Sequence, residues 1–124
     1  MENPEKPTPK NHSVSVYLEG DTWKVSRPDN GRVHLHDTVT WNVVQEGVTA
    51  HLQFTDALPE HKDQCIFDGV DTDWQRNVES GAPVTLTLRK GVPRGSYHYA
   101  AWITPAGQWA IGDNPPPQID TDRP

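Results

Sequence analysis

The chain has 124 residues, of which 33% are hydrophobic and 23% charged, and its formal net charge is −6 at pH 7. This length suits one compact domain, because two domains of half the size would each bury too little surface for an adequate core. The acidic balance and the lack of a Lys/Arg cluster remove the attraction for phosphate backbones and anionic lipids. We therefore expect neither nucleic acid nor membrane partners.

Twelve prolines and nine glycines predict many turns between short extended segments rather than helices, which both residues interrupt. The first ten residues are polar and Pro-rich, unlike a secretory signal or a spanning helix. We expect cytoplasmic residence, although a signal peptide removed beforehand would leave no trace. Cys65 is the single cysteine, so no intramolecular disulfide is expected.

Period-two alternation of apolar residues predicts the strands of the first half of the chain. Val14, Val16 and Leu18 form the side of the first strand that we expect to be buried, which we call its dry side. The second predicted strand alternates Val33 and Leu35 with His34 and His36. The next has its dry side at Val39, Trp41 and Val43, which places Trp41 in the core.

The same alternation predicts strands in the second half, with dry sides at Ala50, Leu52 and Phe54, at Val84, Leu86 and Leu88, and at Tyr97, Tyr99, Ala101 and Ile103. Residues 55–79 form a long polar connection that has room for a short helix and a short strand. Two sheets packed face to face would bury the dry sides together, so we predict an all-β, two-sheet Greek-key β-sandwich. We expect the domain to cover residues 13–120, between an N-terminal tail (1–12) and a C-terminal tail (121–124), with Ile119 in a last edge strand.

Three stretches carry a resemblance to a known family: Asp37-Thr38-Val39-Thr40-Trp41, Ala50-His51-Leu52-Gln53-Phe54, and residues 91–104 with the strand Gly95-Ser96-Tyr97-His98-Tyr99-Ala100-Ala101. Together they resemble the cupredoxins over residues 33–111. The resemblance implies a Greek-key sandwich in which copper ligands would fall on Ala50, Ala101 and Thr104. A methyl group or a hydroxyl cannot replace the thiolate and imidazoles of a blue-copper site. We therefore expect no type 1 copper site and no cofactor.

Surface histidines offer an alternative metal site. His34 and His36 would lie about 6.6 Å apart along one strand face, close enough to approach one ion. His51 and His98 also point outward by alternation and would supply a third ligand if their strands lay beside the strand of His34 and His36, which the sequence does not decide. Two histidines without a cysteine or an acid at fixed spacing make a weak pattern, so we favour solvent-facing histidines.

Trp102 lies on the outward side of its strand, and Trp109 follows in the least polar loop of the chain, residues 103–111. One hypothesis, which we favour, is that Trp109 folds inward and fills the space left by the missing ligands. The other is that Trp102 and Trp109 form an exposed apolar patch for a partner.

The sequence therefore predicts a non-redox binding or assembly module with a protein partner or a second copy of the chain. Trp102, Trp109, His51 and His98 are the candidate binding residues. The main alternative is a surface-histidine Cu/Zn-binding protein for metal sequestration or delivery. A small hydrolase or isomerase using His98 and Asp113 has no motif to support it, so we do not expect an enzyme.

Overall fold

The computed structural model describes residues 9–59, 61–70, 73–112 and 117–122, which contain strands and no helix. The strands in chain order are β1 (Asn11–Glu19), β2 (Thr22–Val25), β3 (Thr38–Val43), β4 (Thr49–Phe54), β5 (Ala57–Leu58), β6 (His61–Cys65), β7 (Gln75–Glu79), β8 (Val84–Thr87), β9 (Gly95–Thr104), β10 (Gln108–Trp109) and β11 (Gln118–Thr121). The predicted all-β class is confirmed.

Two sheets form the sandwich. The first has the strand order β2-β1-β3-β8, and the second has the order β10-β9-β4-β7 with β11 also paired to β9. Strand β1 runs antiparallel to β2 and parallel to β3. A further small sheet pairs β5 with β6. The chain crosses between the two large sheets after β3, after β7 and after β8, so their inner faces become the two walls of one core.

Alternation produces this core, because successive side chains of a strand point to opposite faces. Strands β3 and β4 each alternate strictly between half-exposed and buried residues. Strand β9 follows the same rule from Tyr97 to its end at Thr104. The predicted dry sides of β3, β4 and β9 are therefore confirmed, and Trp41 is fully buried.

Four aromatic rings fill the centre of the sandwich. Trp41 packs edge-on against Phe54, Phe67 and Tyr99, with ring centroids 5.5 to 5.9 Å apart. The Trp41 indole N–H donates to the Tyr99 hydroxyl at 3.1 Å. Burial raises the pKa of Tyr99, so the hydroxyl stays neutral. Trp41 lies on β3 and Tyr99 on β9, and this hydrogen bond therefore joins the two sheets.

The start of β1 is held by a buried polar contact. His12 is fully buried, with Nε2 at 2.8 Å from Asp37 Oδ2 and Nδ1 at 2.6 Å from the main-chain oxygen of Asp29. Asp37 also accepts hydrogen bonds from the main-chain N–H groups of Lys10 and His34. Burial opposes ionisation of Asp37, but these hydrogen bonds outweigh it and lower the pKa of the carboxyl group.

The strand predicted at residues 33–36 is wrong. Val33 forms only an isolated bridge to Thr121, and His36 has a positive φ of 70°, which a strand does not allow. The main-chain N–H of Asp37 bonds to the carbonyl of His34 at 3.0 Å, which closes a turn. After this turn, the Asp37 side chain contacts His12.

Three further segments differ from their predictions. The described part of residues 55–79 holds β5, β6 and β7 and no helix. Leu18, expected on the dry side, is 41% exposed because it lies near the end of β1. At the chain ends, β1 begins at Asn11 and β11 extends to the buried Thr121, so the strands reach slightly beyond the expected domain, residues 13–120.

Candidate binding face

The outward side of the second sheet carries a row of four side chains that crosses four strands. Trp109 on β10 lies opposite Trp102 on β9, Trp102 lies opposite His51 on β4, and His51 lies opposite Asn77 on β7. Gln53 and Gln75, which also lie opposite each other on β4 and β7, border this row. We call these six residues the tryptophan face.

Residues 103–111 do not close over the sandwich as a loop. Strand β9 continues to Thr104, and β10 returns beside it as a hairpin in which the N–H of Gly107 bonds to the carbonyl of Ile103 at 2.7 Å. Gly107 has a positive φ of 69°, which this turn requires and which a side chain would disfavour. The hairpin fixes Trp109 directly beside Trp102 on the outer surface.

Trp109 is 59% exposed, so the favoured hypothesis that it fills the core is wrong. Its ring lies edge-to-face against that of Trp102, with centroids 4.8 Å apart and an interplanar angle of 66°. Trp102 is half-buried. Ala50 and Ala101, beside which Trp109 was expected to pack, lie instead among the other buried side chains of the core cluster. The two rings lie on the outer surface, where the alternative hypothesis of an apolar patch places them.

His51 is held at both ring nitrogens. Nδ1 lies 2.8 Å from Asn77 Oδ1, and Nε2 lies 2.9 Å from Thr104 Oγ1. The ring is therefore fixed between a residue of β7 and a residue of β9. The sequence correctly predicts that His51 faces outward, but it did not identify Asn77, which lies 26 positions away.

The amide side chains of the tryptophan face were also not predicted from the sequence. Gln53 donates through Nε2 to the main-chain oxygen of Trp74 at 3.3 Å, which leaves its amide oxygen for other contacts. Gln75 and Asn77 are exposed. The strand Gln75-Arg76-Asn77-Val78-Glu79 has Val78 as its only apolar residue, a signal too weak to reveal a strand.

The tryptophan face bears little charge. Among the described outward-facing residues of β4, β7, β9 and β10, Glu79 is the one acidic or basic side chain apart from histidine, and it lies at the end of β7. The protein as a whole has a net charge of −6. The six residues of the face are thus neutral apart from histidine, and the paired charges of Asp73 and Arg76 lie at the β7 end, where they share a pocket with Gln75 and Asn77.

His98, the fourth candidate binding residue, lies on the same side of β9 but away from the tryptophan pair. Its Nδ1 and its main-chain N–H both contact Asp56 Oδ2 at 2.9 Å. His98 lies four positions before Trp102 on β9, about 13 Å away along a strand. His98 therefore does not join the tryptophan face. Asp113, which the hydrolase or isomerase alternative combines with His98, lies outside the described residues.

The surface histidines do not converge on one point. His34 lies 3.8 Å from Asp122, whereas His36 is exposed in the turn. His51 and His98 are on neighbouring strands but in different rows. Within the described ranges, no group of three His, Cys, Asp or Glu side chains is placed to hold a metal ion. No observation here favours the metal-binding alternative.

Of the three positions that the cupredoxin resemblance links to copper, Thr104 is separated from the other two. Ala50 and Ala101 are buried and point into the core. Thr104 points to the outer face, where it contacts His51, because β9 continues as a strand past Ala101. Side chains three positions apart on one strand lie on opposite faces of the sheet. Ligands at Ala101 and Thr104 would therefore not meet one ion in this conformation.

No protein-family model matches the chain, and the search of curated proteins gave no match. In the parts of the chain that the structure describes, no helix has the length and apolar character needed to cross a membrane.

Proposed function

We propose that this protein is a non-redox binding module, a cupredoxin-like Greek-key sandwich without a type 1 copper site, and that it contacts its partner through the tryptophan face. The observation that supports this most strongly is the exposed tryptophan pair. Trp109 keeps 59% of its surface in water in a hairpin that pairs it with Trp102. Exposing an indole forgoes the free energy that its burial would give, and such rings commonly anchor a partner.

The rest of the face supports the same function. His51 is held at both nitrogens, and the six residues lie on four paired strands rather than on loops. A site of this kind loses little conformational entropy when a partner binds. The Thr104 hydroxyl lies 2.9 Å from His51 Nε2, but the sequence around Thr104 carries no catalytic motif, so a binding role fits better than catalysis.

The proposal is tested with three classes of probe: the protein itself, arrayed peptides and arrayed oligosaccharides. Self-association is measured by sedimentation velocity from micromolar to millimolar concentration. Each assay compares the wild type with a Trp102→Ala/Trp109→Ala double variant. Tyr17→Ala is the matched control, because Tyr17 is a partly exposed aromatic residue on the first sheet.

We expect binding in at least one class, weakened about tenfold or more in the double variant and unchanged in Tyr17→Ala. Circular dichroism establishes that both variants are folded. The proposal is wrong if no class of probe binds the wild type, or if the double variant binds as the wild type does.

A further inference from the structure

Resting on the proposed function, we infer that the ligand of the tryptophan face is a neutral oligosaccharide. The structure supplies three matching features: a small aromatic platform, amide groups beside it, and no carboxylate, ammonium or guanidinium group among the six residues. Each feature distinguishes sugars from the other possible partners.

The aromatic area fits a sugar better than a protein. Trp109 is the only large hydrophobic residue of this face that is exposed beyond a third of its surface, among the residues that the structure describes. Trp102 adds a half-buried ring at a centroid distance of 4.8 Å. A stable protein interface buries about 800 Å² on each partner and has an apolar centre. Two indoles provide far less, but they match the apolar side of one or two pyranose rings.

The electronic properties of the indole rings also suit a sugar. The face of an indole is electron-rich, whereas its edge is electron-poor. The axial C–H bonds of a pyranose form a flat, weakly positive surface that can stack on such a ring. In the edge-to-face pair of Trp102 and Trp109, the rings stand at 66° to each other, so together they offer two differently inclined surfaces.

The polar groups beside the rings suit hydroxyls. A sugar hydroxyl both donates and accepts, and an amide side chain offers both functions on one planar group. Asn77 uses Oδ1 to contact His51, and Gln53 uses Nε2 to contact the Trp74 carbonyl. These contacts orient the remaining Nδ2 of Asn77 and Oε1 of Gln53, one as a donor and the other as an acceptor. Gln75 adds a third amide on the same face.

The span of the face fits a short chain of sugars. The row from Trp109 to Asn77 crosses four neighbouring strands. With strands about 4.8 Å apart, it measures about 14 Å from β10 to β7. The two ends differ, since aromatic rings lie at β10 and amides at β7. A linear oligosaccharide lying across the strands would stack at one end and form hydrogen bonds at the other.

The charges of the protein favour a neutral sugar over an anionic or cationic one. Nothing on the six residues is formally charged apart from a protonatable His51, and the protein carries a net charge of −6. An anionic polysaccharide would be repelled by that charge, and a cationic partner would find no carboxylate within the row. Binding should therefore respond little to salt, which screens attraction between charges.

The test uses cellohexaose, maltohexaose, laminarihexaose and chitohexaose, each titrated into the full chain by isothermal calorimetry, with tryptophan fluorescence as a second readout. We expect at least one to bind with a submillimolar Kd and to shift the tryptophan emission. Trp109→Ala should weaken that binding about tenfold or more, whereas Trp109→Tyr, which keeps an aromatic ring, should weaken it less. Tyr17→Ala should bind as the wild type does. The Kd should change less than about twofold between 0.1 M and 1 M salt.

Absence of binding by all four hexasaccharides at millimolar concentration would overturn the inference, as would binding that Trp109→Ala leaves intact or that salt abolishes. The proposed function has a separate outcome. If the sugars fail but self-association or peptide binding is lost in the Trp102→Ala/Trp109→Ala variant, the face is a protein-binding site and only the sugar assignment is wrong. If every probe fails, both proposals are wrong.

Discussion

Trp41 and Tyr99 join the two sheets of the sandwich through one buried hydrogen bond, 3.1 Å long, from the indole nitrogen to the phenol oxygen. Removing the hydroxyl in Tyr99→Phe leaves the indole N–H buried without this acceptor. We expect the free energy of unfolding to fall by about 1 to 3 kcal/mol, the cost of an unsatisfied buried polar group. Chemical denaturation measures it.

The control is Tyr17→Phe, which alters a partly exposed ring on the first sheet. It should change the free energy of unfolding by less than about 0.5 kcal/mol. Equal effects of the two variants would show that the Trp41–Tyr99 bond does not contribute to joining the sheets.

The two faces of β8 provide a second prediction. Leu86 is buried in the sandwich, whereas Thr87, the next residue, lies half-exposed. Leu86→Ala should lower the free energy of unfolding by about 2 to 5 kcal/mol, since it removes core contacts and leaves a cavity. Thr87→Ala should lower it by less than about 1 kcal/mol. A larger loss at Thr87 in urea denaturation would mean that the strand is shifted by one residue.

The exposure of Trp109 predicts that it contributes little to folding. Trp109→Ala should reduce the free energy of unfolding by no more than about 1.5 kcal/mol, the upper range for losing one aromatic pair contact. Trp41→Ala, in the core, should reduce it by about 3 to 5 kcal/mol. Thermal and urea unfolding of both variants measure these changes. Comparable losses of unfolding free energy in the two variants would show that Trp109 is buried in the core.

The lowered pKa of Asp37 predicts a loss of stability in acid. The folded state favours the ionised carboxylate, so its contribution is complete above about pH 4, the ordinary value for aspartate, and disappears as the pH falls through the lower pKa of the folded state. The wild type should therefore lose part of its free energy of unfolding between about pH 5 and pH 2. Asp37→Asn should lack that part.

At neutral pH, Asp37→Ala should lower the free energy of unfolding by about 1 to 3 kcal/mol, because it leaves the buried His12 and the main-chain N–H groups of Lys10 and His34 without their hydrogen-bond partner. Asp73→Ala is the control, since Asp73 is exposed and pairs with Arg76 at 3.2 Å on the surface. It should cost less than about 1 kcal/mol. An acid profile shared by the wild type and Asp37→Asn in urea titrations would contradict the role given to Asp37.

A last prediction concerns copper. Addition of Cu²⁺ should not produce the intense visible absorption of a copper–thiolate bond, because Cys65 is buried on β6 and Ala101 stands where the resemblance would place the thiolate. Visible absorption and electron paramagnetic resonance spectra of the titrated protein test this. A blue protein would require a copper site that the alignment of Ala50, Ala101 and Thr104 excludes.

Local alternation determined much of the fold. The dry sides of β3, β4 and β9, the burial of Trp41 and the outward direction of His51 all follow from the two-residue period of a strand. These features depend on which side of a strand a residue occupies, and the neighbouring residues in the sequence decide that.

The tertiary structure decided whether an alternating segment has a neighbour with which to pair. Val33-His34-Leu35-His36 alternates as well as β3 does, but there a turn closed by the Asp37 N–H and the His34 carbonyl, with His36 at positive φ, interrupts the extended backbone. The position of Trp109 likewise depended on β10 pairing with β9, which placed it opposite Trp102 rather than in the core. Asn77 and Asp56 reached their histidines across 26 and 42 positions of sequence. Such contacts depend on strand order and register, which arise from the packing of the whole chain and which a local pattern does not encode.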